Sequence, residues 1–576
     1  MRAVPLLLLS LLATACATMP ETPSQQLARL AEEQWQQQLQ WDIGARRDLG
    51  LRIESLPDPS FAQAERDAAH ARSMLQRVEA IDEAALSDDE RITRGVLTHV
   101  NRINAEAPRH FFQQFQVTPY ASQLWAVNSI LSSVPLDDAD DLARYLRLLD
   151  QYPEFVDRFA AIGQEQRRRG ILVPKPELPL VRAHLGSMTG AAETHPLFVA
   201  ETRLAKIAPE ARAAFVSAVR ERIARQIVPA MQRLAAIYDD PAYEAAAPEG
   251  IGLAQFPGGA EAYRYLIRFH TTLDLAPEEI HQLGLREVAR IDAKMAEVRE
   301  RLGFRGTKAE FHQSLRREPR LFARSGEEIG QRLTAYLSKI EPHMDRLFAR
   351  KPRAPYDVRR LEPEMEALIT FGYYQQPTAT DPAGYYYYNG STPEERSLLP
   401  AASLIAHELA PGHHFQIARQ IENEELPMFR RKSYQTAYVE GWGEYAAMIA
   451  EEMGVYSDPY DEYGRLTQDM MLSVRLVVDS GMHALGWSRE RAMDYMREHT
   501  LLSDTEIATE SLRYGIDIPA QALSYKIGGN KIMELRRKSD AAGVDPREFH
   551  EWVLGAGSMP LSVLEAHVTR KLRGKG

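Results

Sequence analysis

Cysteine is nearly absent: the 576 residues hold one, Cys16. No disulfide can form within the chain, so a folded body has to be held by its core. A basic excess is absent too. Lys and Arg number 69 against 80 Asp and Glu, a formal net charge of −11, which argues against the basic face of a nucleic-acid binder. Beyond the N-terminus no stretch reaches the ~18 uninterrupted apolar residues that a membrane-spanning helix needs. Strand signals are scarce. What remains is a polar chain, 44% hydrophobic and 26% charged, with a mean hydropathy of −0.37. That is the composition of a globular protein, and its length exceeds what one core usually takes.

The one apolar run is at the start, "MRAVPLLLLSLLATACATMP". Arg2 gives a positive n-region, Pro5 to Leu12 an apolar h-region, and Ala13-Thr14-Ala15 a small-residue cleavage site. Residues 1–15 therefore read as a secretory signal peptide. Cys16 follows directly, and "LATAC" resembles a bacterial lipobox, with Ala13 where leucine is usual. Residues 16–24 then form a lipid-anchored tether, and residues 25–576 the body. Residue 17 is Ala rather than Asp, which by bacterial sorting rules favours the periplasmic side of the outer membrane. The membrane is met only through the lipid.

Helical periodicity dominates the body. "SQQLARLAEEQWQQQLQWD" places Leu27, Leu30, Trp35 and Leu39 at near-helical spacing. "DADDLARYLRLLDQYPEFVDRFAAIGQEQRRRG" predicts two helices meeting at Tyr152-Pro153. "APEARAAFVSAVRERIARQIVPAMQRLAAIYDD" predicts one long amphipathic helix. "APEEIHQLGLREVARIDAKMAEVRERLGF" has Pro277 in its first turn and Gly303 at its stop. The best strand signal is "GYYYYNGSTPEE", four tyrosines before Asn389-Gly390, a hairpin-type pair. As an edge strand it would pair with an extended substrate, which makes Asn389 a substrate-binding candidate. The expected fold is mainly α, two-lobed around a central cleft, with a small β element before the histidine motif.

That motif is "HELAPGHH", His407 to His414. Zinc peptidases commonly carry two histidines four apart on a helix with a glutamate beside the first. Here His413 is six residues after His407, roughly 120° around a regular helix, and cannot share its ion. His414 is on the same face but about 10.5 Å along the axis. Pro411 cannot continue a helix and Gly412 tolerates unusual torsions, so a deformation there can bring His413 back beside His407. Downstream, "YVEGWGEYAAMIAEEMG" puts Glu440 and Glu444 four apart on one helical face. The expected ligands of one zinc per chain are His407, His413 and Glu440, with His414 and Glu444 as alternates. Glu408 is left as general base on a bound water.

Together "HELAPGHHFQ", "YVEGWGEYA", "RLVVDSGMHALGW", "IPAQALSYKIG" and "APEEIHQLGLREVARI" resemble the bacterial family labelled "domain of unknown function 885". Its members are often secreted or lipoproteins. The family is distantly similar to helical zinc peptidases such as the angiotensin-converting and oligopeptidase groups. Dipeptidyl-peptidase III, with H-E-x-x-G-H, is a precedent for an expanded motif. The resemblance implies a zinc-dependent peptidase. It also implies a downstream tyrosine steadying the oxyanion, a role that Tyr525 fits as a phenol donor, and a lysine binding a terminal carboxylate, for which Lys526 stands. Arg513 competes for that role. Arg475, Asp479 and His483 lie four apart on one face, making His483 a further substrate-binding or ligand-orienting candidate. The function expected is hydrolysis of short peptides in the cell envelope. The alternatives are a zinc hydrolase of a non-peptide or cell-wall-derived amide, and an inactive binding lipoprotein. The intact Glu408 argues against the last.

Overall fold

The computed structural model describes residues 21–366, 372–378 and 381–575. The signal peptide and Cys16 lie outside them. The chain is helical from Pro23, inside the stretch taken as tether, because Thr22 caps the first helix, Pro23–Leu39, in a capping box with Gln25. Helices then make up most of the body, as expected.

One interior proline behaves differently from its sequence signal. Residues Ala139–Arg168 form a single helix of 30 residues with Pro153 inside it, not two helices. A mid-helix proline forfeits a hydrogen bond and crowds the carbonyl four residues back, at about 3 kcal/mol. Burial outweighs this. Leu148, Leu149, Tyr152, Phe155, Val156 and Phe159 are all buried, and each full burial contributes about 1.5–3 kcal/mol. The Tyr152 hydroxyl also donates to Asn128 at 2.7 Å. In the next predicted helix, Pro209–Arg222 and Val228–Asp239 are joined by a wider turn over Ile223–Ile227. Pro229 offers no N–H to the carbonyl behind it, and the turn opens there. Pro277–Arg301 starts and stops as read, with Gly303 left-handed at φ 73°.

Buried side chains fall into two clusters. One gathers the long Ala139–Arg168 helix, Val288, Ile291 and Met295, and Tyr463, Met470 and Val477. The other gathers Leu27, Trp35, Val96, Ile405, Trp442, Tyr445, Ile527 and Val553. The helix Pro459–Ala484 contributes to both, with Val477 in the first and Leu476 in the second. Two further helices, Thr436–Ile449 and Ser524–Ala541, cross with almost no gap. A Cβ on Gly441 would stand 2.5 Å from the Gly528 backbone, so both positions need to lack a side chain. This contact sets Glu440 and Tyr525 on facing helices.

The β element is one small sheet of three strands, in the order β1 (Tyr356–Arg360), β3 (Gly384–Tyr388), β2 (Gly372–Gln375). β3 runs parallel to β1 and antiparallel to β2. The tyrosine strand is therefore central, with no free edge for a substrate. Tyr386 and Tyr388 face the core, while Arg359 lies over the Tyr385 ring at 3.6 Å on the other side. Asn389-Gly390 is not a hairpin tip. The buried Asn389 amide donates to the Glu366 carbonyl at 2.7 Å, and Gly390 N–H donates to the Glu366 carboxylate. Glu366 supplies the acceptors that a two-residue turn would otherwise leave to the facing strand.

Two carboxyls outside the motifs are buried together. Glu177 is fully buried, and neither of its oxygens has a hydrogen-bond partner among the described residues. Burial pushes it up, Asp517 adds to the shift and Arg489 opposes it. Asp517 is likewise pushed up by burial, against Thr118, Tyr120 and Arg513. Folded protein thus keeps protons that unfolded chain releases, so their contribution is complete below the ordinary carboxyl range near 4 and shrinks as pH rises. We predict a melting temperature that falls as pH climbs through about 7 towards about 9. Glu177→Gln, always neutral, should flatten that fall. Equal slopes in calorimetric melts of the two proteins would show that Glu177 holds no proton.

Candidate metal centre

The histidine motif is two helices, not one. Ala401–Glu408 ends where Leu409 leaves helical torsions at φ −110°, ψ −92°. The next helix, His413–Glu422, starts after Gly412. The deformation expected at Pro411-Gly412 is present as a full break. Gly412 packs against the turn it leaves: a Cβ there would stand 1.7 Å from the His407 carbonyl oxygen. The buried Trp442 indole donates to the Pro411 carbonyl at 2.8 Å and ties the break to the glutamate helix Thr436–Ile449. As a result the His407 and His413 rings stand 4.7 Å apart and nearly perpendicular.

Glu440, in the first turns of the glutamate helix, completes a triangle. Its Oε2 is 3.4 Å from His413 Nε2 and 3.8 Å from His407 Nε2. One donor atom from each of the three lies within 4.8 Å of the others. Two ligands each about 2.1 Å from one zinc, at a tetrahedral angle, are themselves about 3.4 Å apart. The donor set and its spacing therefore fit a zinc with two imidazoles and one carboxylate. Burial alone would raise the Glu440 carboxyl, but His407 and His413 hold it well below the usual range. Burial would lower His413, and Glu440 outweighs it, so that ring is raised. Gly443, one turn beyond Glu440, admits the His407 ring, because a Cβ there would be 2.7 Å from it.

The two alternates are occupied elsewhere. His414 is fully buried and faces the sheet. Its Nε2 donates to the Ala354 carbonyl at 3.0 Å, which leaves Nδ1 to accept from the Tyr374 hydroxyl at 3.1 Å. Burial lowers its pKa to about 4. Glu444 is buried against Arg465 at 2.6 Å. Adjacent residues on a helix point about 100° apart, which is why His413 meets the triangle and His414 does not.

Glu408 is half-buried and makes no hydrogen bond among the described residues. Its charge reaches His413 and the phenols of Tyr374, Tyr386 and Tyr434. The Tyr525 ring stacks on His407 at 6.2 Å, tilted by 18°. Burial and then Glu440 raise its hydroxyl. Tyr434 was not among the residues expected here. The residue is 59% exposed, yet its hydroxyl lies close to Glu440. The only sequence signal is position, two residues ahead of the glutamate helix. Arg513 remains near Tyr525 through Gln521, to which its Nη2 donates at 3.2 Å.

Three substrate-binding candidates are held by structural partners. Lys526 is fully buried, 3.1 Å from Glu287 and in contact with Asp469. Its neighbour Tyr525 takes the face towards the metal triangle, so Lys526 points into the interior, where only paired charge is tolerated. His483 accepts from Leu253 N–H at 2.9 Å and donates to the Tyr514 carbonyl at 2.9 Å. Asp479, one turn before, accepts from Tyr263 and from Ala520 N–H. Both belong to a buried polar ladder with no donor left for a substrate. Asn389, bonded to Glu366 as described, is structural in the same way.

The packing of His407 against Gly443 generates a test. Gly443→Ala should displace the ring and weaken zinc binding by about 10- to 100-fold, the range for changing what supports a ligand. Gly186→Ala, with nothing within 4 Å of the added Cβ, should change nothing. Competition with a chromophoric chelator measures both, and an unaltered affinity in Gly443→Ala would remove His407 from the ligand set.

A model of the family described as "Bacterial protein of unknown function (DUF885)" matches residues 44–568. No curated protein matches the chain. Among solved structures, a provisionally described lipoprotein of Colwellia psychrerythraea is 27% identical, over 96% of this chain and 100% of that one, with a TM-score of 0.88. A second provisional lipoprotein, of unknown function, from Shewanella oneidensis shares the fold at 17% identity and a TM-score of 0.73, over 95% of this chain and 99% of that one. The match across most of its length makes this chain a member of the bacterial DUF885 family.

Proposed function

We propose that the protein is a zinc-dependent hydrolase of peptide bonds in short peptides, held in the cell envelope by lipid on Cys16. The observation that carries the reading is the meeting of His407, His413 and Glu440 beside an unpaired Glu408. Two imidazoles and a carboxylate, three protein ligands where a structural site would have four, are the donor set of a catalytic rather than a structural zinc site. Zinc held there supplies Lewis acidity to a water and to the scissile carbonyl. Glu408, with no hydrogen bond to compete, takes the proton of the attacking water and returns it to the leaving amine. Tyr525, stacked on His407, donates to the carbonyl oxygen as negative charge develops there, and Tyr434 is placed to do so from the open side. The helical body, with its two cores, is read as the two lobes of a helical zinc-peptidase fold, the motif packing into the second of them.

Glu408→Gln keeps the shape of the side chain and removes the base. Zinc should remain while turnover of short peptides falls by ~10²–10⁴. His413→Ala and Glu440→Gln should lose zinc, and Glu444→Gln should keep it. Metal analysis with peptide cleavage separates these cases; full activity in Glu408→Gln would refute the mechanism.

The lipid anchor is supported by the Cys16 context and by the descriptions of the two structural relatives. Cys16→Ser should move the protein from the membrane fraction to the soluble periplasm with its activity retained. A wild-type protein already soluble on fractionation would contradict it.

A further inference from the structure

Beyond the metal triangle lies a pair of arginines that the chemistry above does not use. The Arg475 guanidinium sits 5.0 Å from the centre of the Tyr525 ring, which is itself 6.2 Å from the His407 ring. Arg513 donates to Gln521 at 3.2 Å, and Gln521 reaches Tyr525. Both arginines lean on one carboxylate, Glu510, each at 3.3 Å. That carboxylate is already taken by the Tyr514 hydroxyl, which also accepts from Arg475 Nε at 2.6 Å. Two cations share one anion, so a positive charge is left over beside the site.

Of the two, Arg513 is the one with donors to spare. Its bonds to Glu510 and Gln521 are long for charged donors, which usually reach about 2.7–2.9 Å. Its Nε is buried with no partner among the described residues. A buried charged N–H left unpaired is costly, and a carboxylate oxygen would satisfy it. The exposed ring of Tyr120 stands 5.6 Å from the Arg513 guanidinium and forms an outer wall. Asp517, the other acid close by, is turned to Thr118 and Tyr120 and pushed towards its neutral form by burial. It therefore cancels only part of the surplus charge near neutral pH.

We propose that Arg513, with Arg475 behind it, binds the free C-terminal carboxylate of the substrate, so that the site takes acid-ended peptides and cuts near that end. This rests on the peptidase reading and names its substrate class. An extended chain spans roughly 3.5 Å per residue. The steps from His407 to Tyr525 and on to Arg475, 6.2 Å and 5.0 Å, leave room for about three residues at most between the cleaved bond and the terminus. A planar guanidinium fork suits a carboxylate, which can accept two parallel N–H bonds from it.

The test uses N-acetylated tetrapeptides without acidic side chains, as free acids and as C-terminal amides, so that the α-carboxylate is the one charge that differs. Titration calorimetry on zinc-loaded Glu408→Gln measures binding without turnover, and wild type measures cleavage. The acid pool should bind about 10- to 100-fold more tightly than the amide pool, the worth of a charged hydrogen bond. Adding Arg513→Gln should bring the acids down to the level of the amides, and Arg513→Lys should restore part of the difference. In wild type the preference should fall on KM. Equal binding of acids and amides, binding of neither pool, or an equal loss of both in Arg513→Gln would overturn the proposal. Preferential acid binding without cleavage of any peptide would leave the carboxylate site standing and remove the peptidase. Cleavage without acid preference would do the reverse.

Discussion

The close contact between Gly412 and the His407 carbonyl is the constraint on which the rest of the site depends. It ends one helix at Glu408 and starts another at His413. A continuous helix would send the two imidazoles roughly 120° apart. The break instead sets their rings 4.7 Å from each other and leaves Glu408 on the last turn of the first helix, next to the triangle but outside it. Trp442 fastens the break to the helix that carries Glu440. One interruption of the backbone thus sets three placements: two imidazoles brought together from separate helices and a carboxylate between them.

The helices that hold this geometry are fixed by contacts too close for side chains and by buried charge. Gly441 and Gly528 let the Glu440 and Tyr525 helices touch. One turn along from Glu440, Glu444 pairs with Arg465, and on the second helix Lys526, turned away from the triangle, pairs with Asp469 and Glu287. Asp469 also meets Arg290 at 3.0 Å. Removing one member of such a pair strands its partner in the interior, a loss of about 3–5 kcal/mol. Glu440 and Glu444 share one face of their helix and divide the work along its axis, one turn apart, whereas the adjacent Tyr525 and Lys526 divide it by helical angle. The first of each faces the triangle, and the second anchors the helix.

Much of the site was legible because its signals are local. Spacing, a proline-glycine pair and a downstream glutamate on a helical face were enough to choose His407, His413 and Glu440, and the structure brings those three together. Helix ends written in caps and glycines, as in Pro277–Arg301, were equally plain. What the sequence concealed depends on distant partners. Asn389 looks like a turn residue until Glu366 is placed beside it. His483 and Lys526 look like free polar groups until Leu253, Tyr514, Asp469 and Glu287 take up their donors and acceptors. Pro153 reads as a helix end because local propensity knows nothing of the core that holds that helix together. Tyr434 belongs to no motif and enters only because the chain folds it over Glu440.

The central claim is that these three side chains hold one zinc ion. Anomalous diffraction from zinc-soaked crystals, recorded on both sides of the zinc edge, tests it directly. The account predicts a single strong peak bounded by His407 Nε2, His413 Nε2 and Glu440 Oε2, with bonds of about 2.0–2.2 Å. No peak there, or zinc settling at His414 or Glu444 instead, would contradict it.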